Sequence, residues 1–491
     1  MAISVITKNY IGFGMSQVLS IVWLRNDLRL SNNPALLHGV NQGTILPIYI
    51  YDDTVPDHYA MGAASKYWLH RSLHALNESM DKNLQVFKGN PLSILQQLLR
   101  EFPNAHVLWN RGYEPWQIAR DAQIKQALKE QGVIVKSFNG HLLWEPMSVL
   151  KKDNTPYKVF TPYYRKGCLQ KTPPAYPSAA PENIQYMVEC KSSTSIEKLR
   201  LAPQIAWHKT MDTLWQPGEA GAKEKLAVYL EGAAKTYQND RNLPAVKGTS
   251  LLSPHLHFGE ISPHQVWYAV IDAFGGDIEN ADCDTYLSEL GWREFSHYLL
   301  FHFPHITHDN FNSKFDAFTW EHNDALLTAW QTGQTGVPIV DAGMRELYET
   351  GYMHNRVRMV VGSYLVKNLL IDWRYGERWF WDTLLDADLA ANTASWQWVA
   401  GTGADASPYF RIFNPILQGE KFDKEGEYVK KYCPELRLLP KKYIHQPWNA
   451  PADILKACKV TLGVDYPEPV VDLKASRDKA LAAFAKMKEA V

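Results

Sequence analysis

The sequence holds little that could act as a covalent or metallic staple. Its five cysteines (Cys168, Cys190, Cys283, Cys433 and Cys458) are scattered over 491 residues and never stand in a C-x-x-C spacing. That pattern argues against a disulfide framework, a zinc site or an iron–sulfur cluster, and it suits a reducing cytosol. No apolar run approaches the ~18 residues that a membrane-spanning helix needs. The opening MAISVITKNYIGFGMSQVL lacks the charged start, long apolar core and small-residue cleavage site of a secretory signal. Residues 1–19 are expected to be a tail, and Met15 offers an alternative start. Net charge is missing too: 51 Lys+Arg stand against 52 Asp+Glu, leaving -1. A nucleic-acid partner would have to be met by a local basic patch, because no global positive field exists. The motifs G-x-G-x-x-G after a strand, G-x-x-x-x-G-K-[ST] and H-E-x-x-H are all absent, and the 17 histidines do not cluster at metal spacing. No metal is expected. Tryptophan, by contrast, is abundant: 17 in all, ten of them after residue 260.

At ~100–200 residues per domain, the length allows two to four domains. Residues 20–145 alternate strand-like runs (Ile21–Trp23, Thr44–Tyr51, Leu84–Phe87, His106–Trp109, Val133–Phe138) with helical ones at 62–82, 91–101 and 115–131, and a short helix starts at Asn33-Pro34. Such alternation predicts an α/β domain with a parallel, Rossmann-like sheet. Residues 146–220, rich in Pro, Ser and Lys, lose the periodicity and read as an interdomain linker wrapping the surface. From 221 to 491 the period is helical almost throughout, predicting a larger all-α domain. No internal repeat is present.

Three stretches stand out chemically. In YQNDRNLPAVKGTSLLSPHLHF (237–258), hydroxyls lead into Ser253-Pro254, predicted as an N-cap followed by the first helical residue. A helix start of that kind can cradle phosphate, with Tyr237 and Arg241 completing it; on this segment alone a plain loop and cap is the simpler reading. In YMHNRVRM (352–359), Asn355, Arg358 and Met359 share a helical face and Arg356 points elsewhere. The flanking helices are apolar, so the arginines need buried partners, and Asp386 and Asp388 are the obvious ones. The stretch 373–398 holds Trp373, Trp379, Trp381, Trp396 and Trp398 beside Asn392. Tryptophan-rich helices are more often core than active site, yet indoles are also suited to stacking on bases. Glu289 and Trp292 stand at i, i+3.

Together VWLRNDLRL (22–30), KVFTPYY (158–164), GTSLLSP (248–254), ELGWREF (289–295), GVPIVDAGMRELYETGYMHNRVRM (336–359) and DADLAANTASWQWVAGTGADASPYFRIFNP (386–415) resemble the photolyase/cryptochrome family. The resemblance runs from about Ser20 to Glu468. It is nearest to bacterial cyclobutane pyrimidine dimer photolyases of the class III kind, which are related to plant cryptochromes.

The resemblance implies FAD bound in the helical domain. Tyr237, Thr249, Ser250, Leu251 and Ser253 would hold its pyrophosphate, Arg358 and Asp386 would pair beside the flavin, and Asp388, Asn355 and Trp292 would contact it. Asn392 would face flavin N5, where repair enzymes carry Asn and plant cryptochromes typically Asp. It further implies a carbon–carbon lyase that splits cyclobutane pyrimidine dimers in UV-damaged DNA with light. Glu289, Trp292, Met359 and Trp398 would form the pocket for the flipped dimer, with Arg241, Arg356, Arg411 and Lys421 on phosphates. Trp396 and Trp373 match the inner two members of an electron relay. The surface member falls near Asn310, where no Trp stands, leaving Tyr348, Tyr352 or Trp379 as exits. Glu114 matches a contact to an antenna, expected to be 5,10-methenyltetrahydrofolate. A cytoplasmic monomer with no membrane partner is expected. A cryptochrome-type photoreceptor is the alternative; its usual long C-terminal extension has no room before Val491.

Overall fold

The computed structural model describes residues 18–187 and 190–490, so nearly all of the expected tail at 1–19 lies outside the described residues. Five strands, β1 (Ser20–Leu24), β2 (Ile45–Tyr51), β3 (Gln85–Lys88), β4 (His106–Asn110) and β5 (Val135–Phe138), form one sheet in the order β3-β2-β1-β4-β5. Every pairing is parallel. A parallel sheet is covered on both faces, and the sequence shows why: alternate residues of β1 feed different cores. Val22 and Leu24 pack with Trp68, Leu69, Leu73 and Leu76 of α2 (Ala63–Ser79) and with Leu36 of α1 (Pro34–Val40). Ile21 and Trp23 pack on the other face with Leu95 and Leu98 of α3 (Pro91–Glu101) and Ile124 and Leu128 of α4 (Pro115–Glu130).

The stretch 146–220 is more than the passive connector expected from its composition. Pro162–Cys168 forms a π-helical turn, and its Tyr163, Tyr164 and Cys168 are buried in the core of the helical half. Further on, Tyr186 bridges to Ile45 and Thr194 to Val86, while the Trp215 indole meets Trp68 edge-on at 5.6 Å. These rings are fixed by partners far away in sequence, which local periodicity cannot reveal.

The rest is helical. The elements that matter for the site are Tyr237–Asp240, Ser253–His257, Ala281–His302, Asn355–Ser363, Trp373–Thr383 and Leu389–Ala400. The strongest packing among them is of Leu389–Ala400 against both Trp373–Thr383 and Ala281–His302. Gly376 permits the first contact: a Cβ there would come within 2.1 Å of the Trp396 ring. All five cysteines are buried and free. Among the described residues no helix is long and apolar enough to cross a membrane.

Candidate active site

A cavity of about 590 Å³ opens inside the helical half. Its walls follow from helical spacing. Tyr286, Glu289, Trp292, Arg293 and Ser296 come from one face of Ala281–His302, while Asn392, Ser395, Trp396 and Val399 come from one face of Leu389–Ala400. Asn355, Arg356, Arg358, Met359 and Gly362 form a third side. Arg356 therefore does not point away, as its spacing predicted. It lies in the first turn, where Asn355–Ser363 presents its end, rather than one stripe, to the cavity. His354 caps that end, its Nδ1 accepting the Arg356 N–H at 3.2 Å.

The polar groups are arranged in pairs. Arg358 donates from Nη2 to Asp386 Oδ2 at 2.9 Å and from Nε to the Met353 carbonyl at 2.7 Å. Burial would lower the guanidinium's pKa, but the Asp386 charge outweighs it and holds it above its ordinary value. Asp386 Oδ1 is buried without a partner. An unpaired carboxylate oxygen in such a wall calls for a donor from whatever fills the cavity. Asp388 caps Leu389–Ala400, its Oδ1 accepting the Ala391 N–H at 2.8 Å, and its Oδ2 lies 3.3 Å from His297 Nε2 and 3.7 Å from His257 Nδ1. Burial acts to raise this carboxyl, yet the two imidazoles hold it well below the usual range. The His297 imidazole is pushed up by the same contact, against the effect of its burial. Asn392 donates from Nδ2 to the Glu377 carbonyl at 3.0 Å, so its Oδ1 is the atom left to accept. The half-buried Glu377 carboxyl is pushed up to about 7 by desolvation and accepts from the Thr393 hydroxyl.

At the mouth, Arg241 Nη1 lies 2.6 Å from Glu289 Oε1. Arg356 donates to Asn242 Oδ1 at 2.5 Å and sits 4.5 Å above the Phe422 ring. Trp292 and Trp398 are partly exposed in the wall, while Trp396 is buried against Phe380 and Trp330, with centroids at 5.0 and 6.1 Å.

Of the residues singled out in the sequence, Tyr237, Ser250, Ser253, Arg241, Glu289, Trp292, Asn355, Arg356, Arg358, Met359, Asp386, Asp388, Asn392, Trp396 and Trp398 all line this cavity. Ser253, though in the lining, makes no capping bond, because the flanking residue of its helix is Leu252. Others lie outside the lining. Thr249 lies beside the Tyr352 hydroxyl and outside the lining, and Leu251, at φ 54°, packs into the core beneath the sheet. Trp373 is fully buried behind the wall, its Nε1 donating to Asn310 Oδ1 at 3.0 Å. The residue standing where a surface indole was sought is thus its hydrogen-bond partner. Tyr352 packs at a tilt against Trp215, with Arg358 over its ring, rather than beside Trp373. Arg411 is exposed and offers its carbonyl to Lys367, and the Lys421 ammonium lies 5.1 Å over Phe422.

Sequence reasoning missed His257, His297 and Glu377. His297 and Arg293 stand four apart on the helix that carries Glu289, which is the one local signal for it; the other two are brought in by long-range packing.

Beside this cavity, at the contact between sheet and helices, lies a gap of only about 30 Å³ bordered by Arg25, Asp27, Asn110, Glu114, His141 and Asp388. Glu114 is half-buried; desolvation, reinforced by Asp388, pushes it up to about 7, although the Trp116 indole donates to it at 2.5 Å. His141, His297 and Asp388 bring ligand atoms within 4.8 Å of one another. Arg293 already donates to His141 Nε2 at 2.9 Å, so a cation there would face a guanidinium.

The large cavity fits a flavin nucleotide. It has the volume, an aromatic and apolar floor, the hydroxyls of Tyr237, Ser250 and Ser253, and an unsatisfied carboxylate oxygen held next to a fixed guanidinium. Comparison with known proteins agrees. Residues 286–486 match the family described as the FAD binding domain of DNA photolyase, and residues 20–182 match the DNA photolyase family. The chain is 48% identical over 476 residues to a deoxyribodipyrimidine photo-lyase of Agrobacterium fabrum, spanning 96% of this chain and 98% of that protein. It is 36% identical to Cryptochrome-2 of Arabidopsis thaliana over 96% of this chain and 79% of that one. The crystal structure of a bacterial class III photolyase from Agrobacterium tumefaciens superposes with a TM-score of 0.93 at 46% identity, covering 98% of this chain and all of that one.

Proposed function

The chain belongs to the photolyase/cryptochrome family and its helical half is an FAD-binding domain; from that premise we propose that it repairs cyclobutane pyrimidine dimers in UV-damaged DNA using light. The observation that carries this reading is the composition of one cavity. A half-buried ion pair at its depth faces an open wall of Glu289, Trp292, Met359 and Trp398, and arginines stand at its mouth.

When bound, reduced FAD supplies a light-excited one-electron donor at the floor of the cavity, so the repair needs no net redox change. The chain's residues supply position and electrostatics. Arg358 and Asp386 fix charge where the cofactor must seat, and Asn392, anchored by Glu377, presents its Oδ1 to the cavity. Trp292 and Trp398 offer flat faces to a base taken out of its stack, and a damaged pair costs least to extrude. Glu289 accepts from the pyrimidine edge once Arg241 turns from it to a phosphate. Arg241 and Arg356 at the mouth, with Arg411 and Lys421 farther out, give the local positive patch that a net charge of -1 conceals. The relay through Trp396 and Trp373, and a folate antenna at Glu114, belong to the same reading.

Irradiation of the reduced, FAD-loaded protein with a thymine-dimer oligonucleotide tests it. Recovery of thymine absorbance is the expected result. Flavin photochemistry without recovery would instead support the photoreceptor alternative.

A further inference from the structure

The KVFTPYY segment lies in the stretch that composition marks as linker, and the site described above makes no use of it. Its Phe160 ring nevertheless lies flat on Trp292, with centroids 3.8 Å apart and planes 11° apart. Tyr164 in turn stacks on Phe160 at 5.4 Å and 10°. The three rings form a ladder whose last rung is the cavity wall. Two features hold it in register. A Cβ at Gly291 would stand 2.6 Å from the Tyr164 ring, so that glycine lets Tyr164 seat against the helix next to Trp292. The Phe160 backbone N–H donates to Asp405 Oδ2 at 3.0 Å. Asp405 sits at φ 50°, in the left-handed region uncommon for residues with a side chain, directly after Ala404, which lines the cavity. A strained residue whose carboxylate clasps a distant backbone beside a site suggests preorganisation.

Resting on the reading that a flipped pyrimidine stacks on Trp292, we propose that Phe160, latched by Asp405, is a positioning residue that holds Trp292 flat for the substrate. With one indole face covered by Phe160 and Phe295 packed across it at 5.9 Å and 73°, the face opposite Phe160 is the one left for a base. The linker thereby sets substrate discrimination without touching substrate.

The test uses the FAD-loaded protein and fluorescence anisotropy on two single strands, one carrying a thymine dimer and one undamaged. Phe160→Leu keeps apolar volume and removes the flat face. It is expected to weaken dimer binding about tenfold, to leave undamaged-strand binding and flavin content unchanged, and to be rescued by Phe160→Tyr. Asp405→Gly tolerates the left-handed backbone and deletes only the carboxylate; a smaller loss in the same direction is expected. Wild-type discrimination in both variants would overturn the proposal. So would equal losses on both strands, or loss of flavin in both variants, which would make the ladder ordinary core. A wild-type protein that does not discriminate the two strands would instead sink the functional reading on which the proposal stands.

Discussion

Two places in this molecule could have held a ligand, and they were filled in opposite ways. In parallel sheets, ligands usually sit outside the carboxyl ends of the strands where the order reverses, here between β1 and β4. Most of that crevice is taken up by its own side chains, leaving only the small gap beside Glu114. Arg25 reaches Asp121 at 2.6 Å, Asn110 donates to Asp27 at 2.6 Å and to Asn33 at 2.7 Å, and buried Arg29 bonds the carbonyls of Ser31, Gly259, Asn32 and Gly140. The helical half, for which no such topological rule exists, keeps the large cavity and leaves polar atoms in it unsatisfied. Satisfied polar groups stabilise a fold, whereas unsatisfied ones at a cavity mark where something is to bind. Fold analogy alone would have missed the larger of the two sites.

Breaking the contrast from the cavity side has the largest effect. Arg358→Leu leaves Asp386 buried and unpaired, which costs about 3–5 kcal/mol, and the purified protein is expected to lose its FAD, read by absorbance and by a lowered Tm. The complementary change belongs to the crevice. Asn110→Ala strips donors from Asp27 and Asn33 and is expected to cost about 1–3 kcal/mol in urea unfolding, with flavin content untouched. A variant that sheds flavin would show that the crevice does serve the site. Next in size is Trp398→Leu, which removes a stacking face from the open wall; about 1–3 kcal/mol of affinity for a dimer-containing strand should go, with FAD and Tm retained.

The contrast also separates what was legible in the sequence from what was not. The sheet and its helices were readable because alternate residues such as Ile21 and Val22 feed different cores, a pattern confined to adjacent positions. Glu289 with Trp292 and Arg358 with Met359 were readable for the same reason, since each pair lies within one helical turn. Asp386 was foreseeable as a partner because an arginine inside apolar helices needs a carboxylate. Arg356, Thr249, Ser253 and Leu251 came out differently, because helix ends and left-handed backbone obey tertiary context rather than spacing. Phe160 and His257 were invisible: each acts on a residue more than a hundred positions away.

The finest test concerns a group that belongs to neither place yet supports one of them. Glu377 anchors Asn392 through its carbonyl, and its own carboxyl, pushed by burial up to about 7, stays largely protonated in the fold below neutrality. The unfolded chain gives up that proton near the ordinary value of 4.5. Between those values the folded state binds the extra proton, so this group's stabilising contribution is complete below about 4.5 and is lost as pH rises toward 7, with a slope that cannot exceed about 1.4 kcal/mol per pH unit. Glu377→Gln mimics the protonated carboxyl and keeps the backbone carbonyl. Its unfolding free energy should therefore fall less steeply than wild type's over that window, while its flavin content stays the same. Parallel pH profiles would mean that the Glu377 carboxyl is ionised in the fold, and that Asn392 is held beside a charge rather than beside a neutral group.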